Sequence, residues 1–333
     1  MRILTAVVII AALAWGGYWY VGASAVENGL RSWIEQRRTE GWLAEYVTLN
    51  TRGFPHRFDT TITGLELADP RSGLAWNMPQ LRIISLSYRP NHLIAIWPEE
   101  QSFASPWQKI TMISDDMRAS IVLVPDTALT LERSSFVLSN VSLRSSLGWT
   151  ASLEEGEFHT RQTVGQENAH DIYFEARNLR PSDGVLAALD PARALPDVLT
   201  ALKIDSTVEF DTPWDRTAIE RRRPQPTALK LKLLQARWGD LELQAAGDLE
   251  VRAGGVLEGQ IMIKAVNWRE MLQIGVSTGL VPENLSTSVE RALEVLAGMS
   301  GSPKSLDAPL NFRNGLVFFG PLPLGPAPRL QLR

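Results

Sequence analysis

Two hydrophobic periods divide the chain. Residues 3–22 form a run of 20 without a charge, which at about 1.5 Å per helical residue matches a hydrocarbon core of about 30 Å. Arg2 and the amino terminus precede the run, and Trp15, Tyr18, Trp19 and Tyr20 crowd its other end, where rings with a polar tip favour the lipid–water boundary. Residues 1–23 therefore read as a single membrane anchor with the amino terminus inside and the remainder exported. Arg31, Arg37 and Arg38 beyond the run oppose that orientation. Arg2, placed directly against the apolar run, supports it. The rival is a cleaved secretory signal, because Ala23-Ser24-Ala25 fits the small-residue pattern at such sites. The length of the run and the bulky rings before that site argue for an uncleaved anchor.

From 24 to 46 the apolar residues Val26, Leu30, Trp33 and Ile34 recur three or four apart among Glu27, Arg31, Glu35 and Arg38. This is an amphipathic, membrane-proximal helix, with Gly41 as its stop. Val26, Leu30 and Trp33 are its candidate face for a partner. The alternative lays the same stripe on the protein's own strands.

From residue 47 onward the period changes to two. Leu229, Leu231 and Leu233 alternate with lysines, and Leu241, Leu243 and Ala245 with Glu242 and Gln244. Leu249, Val251, Ile261 and Ile263 continue the theme. Each is a half-buried strand, and Gly239-Asp240, Gly247-Asp248 and Gly254-Gly255 read as the turns between them. Shorter alternations mark strands at 60–67, 81–88, 120–124, 129–131, 136–143, 171–176 and 207–210. Helical spacing returns at 184–203, 268–279 and 285–296, where Leu285, Val289, Leu293 and Leu296 share a face and Asn284 can cap. The expected fold is α+β, mainly antiparallel β: an N-terminal transmembrane helix, then an elongated, curled β-meander body over 47–333 with a few short packed helices. The charged, proline-bearing stretch 215–226, with Arg221-Arg222-Arg223, is the candidate internal boundary.

Composition narrows the chemistry. The chain has no cysteine and four histidines, which removes thiol nucleophiles, disulfides and cysteine-ligated metals. A formal charge of −4 argues against nucleic acid as a partner. Gly275-Val276-Ser277-Thr278-Gly279 matches the nucleophile-elbow pattern, yet every histidine precedes it and it falls in a helical stretch. His56, His92, His159 and His170 lack metal-ligand spacing. Asp115-Asp116 and Glu154-Glu155 are carboxylate pairs without an evident cleft. No catalytic, metal-binding or cofactor-binding residue is assigned, and no enzyme is expected. The 11 tryptophans include Trp76, Trp149 and Trp238 in loosely similar contexts, read as core packing.

Two stretches are more specific. Gly53-Phe54-Pro55-His56-Arg57-Phe58-Asp59-Thr60 reads as a turn into an edge strand in which Phe54 and Phe58 bracket a cation. The run from Gly315 to Pro328 is rich in glycine and proline and suits the closing edge of a sheet. With the anchor and its aromatic exit, these resemble a bacterial envelope family called domain of unknown function 2125, over nearly the whole chain. More distantly they are similar to the AsmA-like envelope proteins. The resemblance implies a single-pass protein of the bacterial inner membrane with a β-rich body in the periplasm. From the AsmA-like group it also implies a sheet curled into an apolar groove that handles lipid, here a short one because those proteins are much longer. Leu231, Leu243 and Ile261 are the candidate lining, and Arg57 is the candidate contact for a lipid phosphate. The expected function is binding of phospholipid, another envelope lipid or a similar apolar ligand without catalysis. The alternative is a structural or assembly protein that holds another envelope protein, and the third is a carboxylate-based glycan hydrolase.

Overall fold

The computed structural model describes residues 1–191, 193, 195–220, 222–279, 281–299, 303–320 and 322–332. The chain folds into two compact units, residues 1–125 with 136–148, and residues 126–135 with 149–333.

The first unit opens with α1 (Arg2–Thr39), among the described residues the one helix long and apolar enough to cross a membrane by length and composition. The helix runs through both the apolar and the amphipathic segments but stops at Thr39, short of Tyr46. Gly41 takes a left-handed φ of +90°, and Arg37 sits between the rings of Trp33 and Trp42 at 5.7 and 6.0 Å. Residues expected to continue the helix form β1 (Leu43–Glu45) instead. The strands that follow are β2 (Thr48–Arg52), β3 (Arg57–Asp69), β4 (Leu74–Leu86), β5 (Arg89–Ile96), β6 (Glu100–Ala104), β7 (Lys109–Ile113), β8 (Asp116–Leu123) and residues 136–145 of β9 (Leu131–Ser145). Every pairing is antiparallel. β3 pairs with β1 and β2 on one side and β4 on the other, so it is internal and not the expected edge. Its alternation buries Phe58, Thr60 and Ile62.

Helix α1 covers the edge that β1 and β2 leave open. The Thr51 N–H donates to Glu27 at 2.6 Å, Arg31 donates to the Leu49 carbonyl at 3.0 Å, and Arg38 donates to the Ala44 carbonyl at 2.7 Å. Edge groups that would otherwise invite another strand are thereby occupied. Ile34 drops into a core of Ala44, Leu49, Ile62, Leu65 and Met78, a burial worth about 2–3 kcal/mol for an isoleucine.

The second unit is a meander in which each strand pairs antiparallel with the next. It runs through β10 (Thr150–Gln162), β11 (Ala169–Arg180), β12 (Leu199–Phe210), β13 (Pro226–Trp238), β14 (Leu241–Arg252), β15 (Val256–Val266), β16 (Ser305–Arg313), β17 (Leu316–Phe319) and β18 (Leu322–Pro326). The short helices α2 (Asp183–Leu189) and α3 (Thr217–Glu220) interrupt it, and α4 (Trp268–Ser277) and α5 (Glu283–Met299) lie between β15 and β16. Trp268 of α4 and Val289 and Leu293 of α5 close one core over Ala265, Leu306, Ala308 and Phe319. The side chains of Leu285 and Leu296 lie outside the described residues. The architecture is thus α+β and mainly antiparallel β, with a long apolar N-terminal helix.

Three expectations give way. The helix read over 184–203 ends at Leu189, and 199–203 already belong to β12, because Pro191 and Pro196 deny the helix its hydrogen bonds. Ala192 and Ala194 lie outside the described residues. The stretch 215–226 is no boundary but sits inside the second unit. Asp211 holds Arg222 and the Gln225 N–H, and the Gln225 amide reaches the Leu332 carbonyl at 2.8 Å. Arg221 lies outside the described residues. Gly247-Asp248, read as a turn, falls in the middle of β14.

Gly247 is there for close approach. Its φ is +155°, and a Cβ would meet the Gln260 carbonyl oxygen at 2.2 Å; Gly259 on β15 stands in the same relation to Asp248, at 2.4 Å. Such backbone-on-backbone approach is a use of glycine within strands. Gly247→Ala should destabilise the protein by more than about 3 kcal/mol, read from denaturant unfolding of the full chain. Gly184→Ala, in α2 with open space around it, should instead be neutral or stabilising by up to about 1 kcal/mol.

Candidate functional site

Register turns the strand alternation of the second unit into a two-sided surface. Directly paired residues share a face, so rows can be read across the meander. One row runs Ile172, Ser206, Leu231, Gly247, Ile261, Leu310; the next runs Phe158, Phe174, Ile204, Leu234, Ala245, Ile263, Ala308. A bulge in β13 places Lys232 and Leu233 opposite one residue, and this returns Leu234 to the side of Leu231. The result is an apolar face from β10 to β16. Ala245, Leu249, Leu257 and Ile261 are its buried centre, with Leu330 of the C-terminal segment packed against them. Towards β10–β12 the face keeps solvent contact at Phe158, Ile172, Phe174 and Ile204, and Leu231 and Leu234 are half-buried beside them.

The opposite face is charged and internally paired. Lys232 Nζ lies 3.0 Å from Asp171 and 3.5 Å from Asp205. The Thr207 hydroxyl donates to Asp171 at 2.6 Å, and that bond first, then Lys232, holds the Asp171 carboxyl below its ordinary range; the Asp171 carboxylate raises Lys232 in turn. Tyr173 donates to Glu175, which with burial pushes the phenol up to about 12. A half-open depression of about 620 Å³ lies on this side, bordered by Glu209, Lys230, Asp248, Glu250 and Glu258. Leu231, Leu243 and Ile261 do not line it.

At the β10–β12 end of the apolar face stands His170, 1% exposed. Its Nδ1 is 3.2 Å from the Thr160 hydroxyl, its Nε2 has no hydrogen-bond partner, and its ring meets Phe210 edge-on at 6.2 Å. Burial holds its pKa below the ordinary histidine value, against the pull of Asp171.

A second cluster belongs to the first unit, where α1 meets residues 53–58. The indole N–H of Trp15 donates to the Pro55 carbonyl at 3.1 Å and that of Trp19 to the Arg57 carbonyl at 2.9 Å. The Tyr18 hydroxyl donates to the Ser87 carbonyl at 2.6 Å. The Phe54–Pro55 peptide is cis. Phe54 and Phe58 bracket the Trp19 ring at 5.6 and 5.9 Å, not a cation as the sequence suggested.

A family model described as an uncharacterized protein conserved in bacteria (DUF2125) matches residues 19–328. The chain belongs to the DUF2125 family. No curated protein and no solved structure matches it. The match takes in Trp19, the 53–58 turn and the whole meander of this DUF2125 protein. The other candidate positions are placed as follows. Arg57 is exposed and lies 3.7 Å from Asp59. Leu30 packs beside Ile34 on the first unit's own core, Val26 is half-buried, and Trp33 remains 43% exposed under Arg37. Ile261 is core at 7% exposure, Leu231 packs beside it, and Leu243 packs on the α4–α5 cluster. Sequence reading missed Phe158, Ile172, Phe174 and Ile204, and it gave Trp15, Tyr18 and Trp19 no protein partner. The paired carboxylates are engaged: Asp115 with Asn140, Asp116 with Arg118, Glu154 with Asn178 and Glu155 with Arg177. Ser277 Oγ donates to the Ile274 carbonyl within α4.

Two outcomes are expected. His170 is neutral in both states above about pH 6.5. As the pH falls below that value the unfolded chain takes the proton first, so stability declines from pH 7 towards pH 5. Thermal midpoints of the full chain should show that slope, and His170→Phe should flatten it. Trp19→Phe keeps the ring contacts but strips the Arg57 carbonyl of its donor, a loss of about 1 kcal/mol, and should speed amide exchange in residues 53–58 without altering exchange in β13–β15.

Proposed function

We propose that this DUF2125 protein is held in the bacterial inner membrane by α1, with its β-rich body in the periplasm. There it binds lipid or another long apolar ligand on the apolar face of the second unit, without covalent chemistry. The observation that carries this reading is the row of apolar side chains from Phe158 and Phe174 through Ile204 to Leu234, which retain solvent contact while the opposite face of the same strands is charged. An exposed apolar surface of that extent is characteristic of binding sites, and an acyl chain is the ligand that needs many such contacts and few polar ones. The membrane beside the anchor is its reservoir. The engagement of both carboxylate pairs with neighbouring side chains favours binding over glycan hydrolysis.

The test is the lipid that the full chain retains through detergent purification, measured by mass spectrometry. Wild type should carry phospholipid. Phe174→Asp and Ile204→Asp, which put a charge on the face, should reduce it at least about tenfold, and Arg161→Ala on the opposite face should leave it unchanged. Equal lipid in wild type and both aspartate variants would refute the reading.

A further inference from the structure

The apolar run and the docking of α1 overlap, and the overlap sets a depth. Protein contact on the helix begins at Trp15, so residues 3–14 alone stand free, a length of about 18 Å against the roughly 30 Å of a hydrocarbon core. The remaining residues of the run, 15–22, are flanked by the 53–58 turn and the loop at 86–90. Phe58 lies against Gly22, so closely that a Cβ there would come within 2.6 Å of its ring, and Pro55 lies against Trp15, about 10 Å further towards the amino terminus.

We propose that the tip formed by residues 53–58 and 86–90 is seated in the phospholipid bilayer that α1 crosses, as a second membrane contact beside the helix. This rests on the reading of α1 as a membrane-spanning helix. Two further observations carry it. The first is polar saturation, since backbone at membrane depth must find its partners within the protein. The Gly53 carbonyl accepts from the N–H groups of His56 and Arg57, and the Pro55 carbonyl from Trp15 and the Ser87 hydroxyl. The His56 carbonyl accepts from the Ser87 N–H, the Arg57 carbonyl from Trp19, and the Ser87 carbonyl from Tyr18. The second is what the tip shows to its surroundings. Phe54 is 59% and Tyr88 60% exposed, Leu86 is exposed beside them, and Arg57 and Arg89 ring the aromatics. Aromatic rings at the boundary with guanidinium groups beside them are the pattern that lipid headgroups favour.

The absence of cysteine makes the test direct. Phe54→Cys, Tyr88→Cys, Val8→Cys and Trp107→Cys, each made singly in the full chain, carry an environment-sensitive fluorophore in vesicles of phosphatidylcholine and phosphatidylglycerol. Spin-labelled phospholipid is the quencher. Val8 is on the free part of α1. Trp107 is an exposed residue in the β6–β7 turn, at the far end of the β3–β4 hairpin where Pro106 lies against Gly73, about 40 Å from the tip by strand length. The probes at 54 and 88 should be blue-shifted and quenched at least about twofold by a spin label high on the acyl chain, with the probe at 107 unaffected. Tyr88 makes the test independent of Phe54, whose ring packs on Trp19. Quenching at 8 but not at 54 or 88 overturns this inference and leaves the anchor standing; no quenching at 8 removes the anchor and the seated tip together. Blue-shifted emission at 54 and 88 that lipid spin labels do not quench puts protein, not lipid, on the tip and also overturns it.

Discussion

Hydrogen bonds from the side chains of α1 to backbone groups of the strands are the interaction on which the first unit depends. A three-residue β1 and a five-residue β2 form a poor edge, with N–H and C=O groups left facing outward. Glu27, Arg31 and Arg38 occupy those groups, and Trp15, Tyr18 and Trp19 do the same for the turn at 53–58 and for Ser87. Ile34 adds apolar burial to the same helix face. Six polar side chains at close to helical spacing thus make a long, amphipathic segment into part of the sheet's hydrogen-bond system, and the angle at which the helix meets β3 is fixed by them and not by apolar packing alone.

In the second unit the controlling constraint is parity. An antiparallel meander keeps one side apolar only if each strand stays in step with the last, and β13 carries one residue too many for its neighbours. The bulge at Lys232 absorbs it. The displaced lysine then joins Asp171 and Asp205 on the charged side, so the irregularity also neutralises two carboxylates. Glycines 247 and 259 permit β14 and β15 to come together where no Cβ would fit. The apolar face is therefore a product of register, and its continuity across the strands rests on one bulge and two glycines.

Much of this was legible in one dimension. Alternation located β3, β8, β11, β13, β14 and β15, helical spacing located α1, α4 and α5, and Gly41 marked the end of α1. What failed did so for identifiable reasons. β10 has only a few apolar residues among charges, and β6 has no clean alternation, so neither carried a period. Residues 199–203 follow a helical stretch without a break in composition. Gly247-Asp248 has turn chemistry but is used for close approach. The apolar face was half visible: Leu231 and Ile261 were found because they alternate strongly. Phe158, Phe174 and Ile204 needed the pairing register to reveal that they share a side with them. Trp15, Tyr18 and Trp19 find partners 38 to 69 positions away, and nothing in the anchor's own sequence announces that.

The position of Ala23 brings time into the picture. The small-residue pattern Ala23-Ser24-Ala25 lies in the interior of α1, and Ala23 is buried against the first unit. A processing peptidase acts on extended chain, so once the helix has docked this bond is out of its reach. Removal of the anchor is then a contest between export and folding: an enzyme would have to act before the 53–58 turn closes on the tryptophans. The same contacts that complete the sheet work as a clock, after which anchor and body are one folded piece.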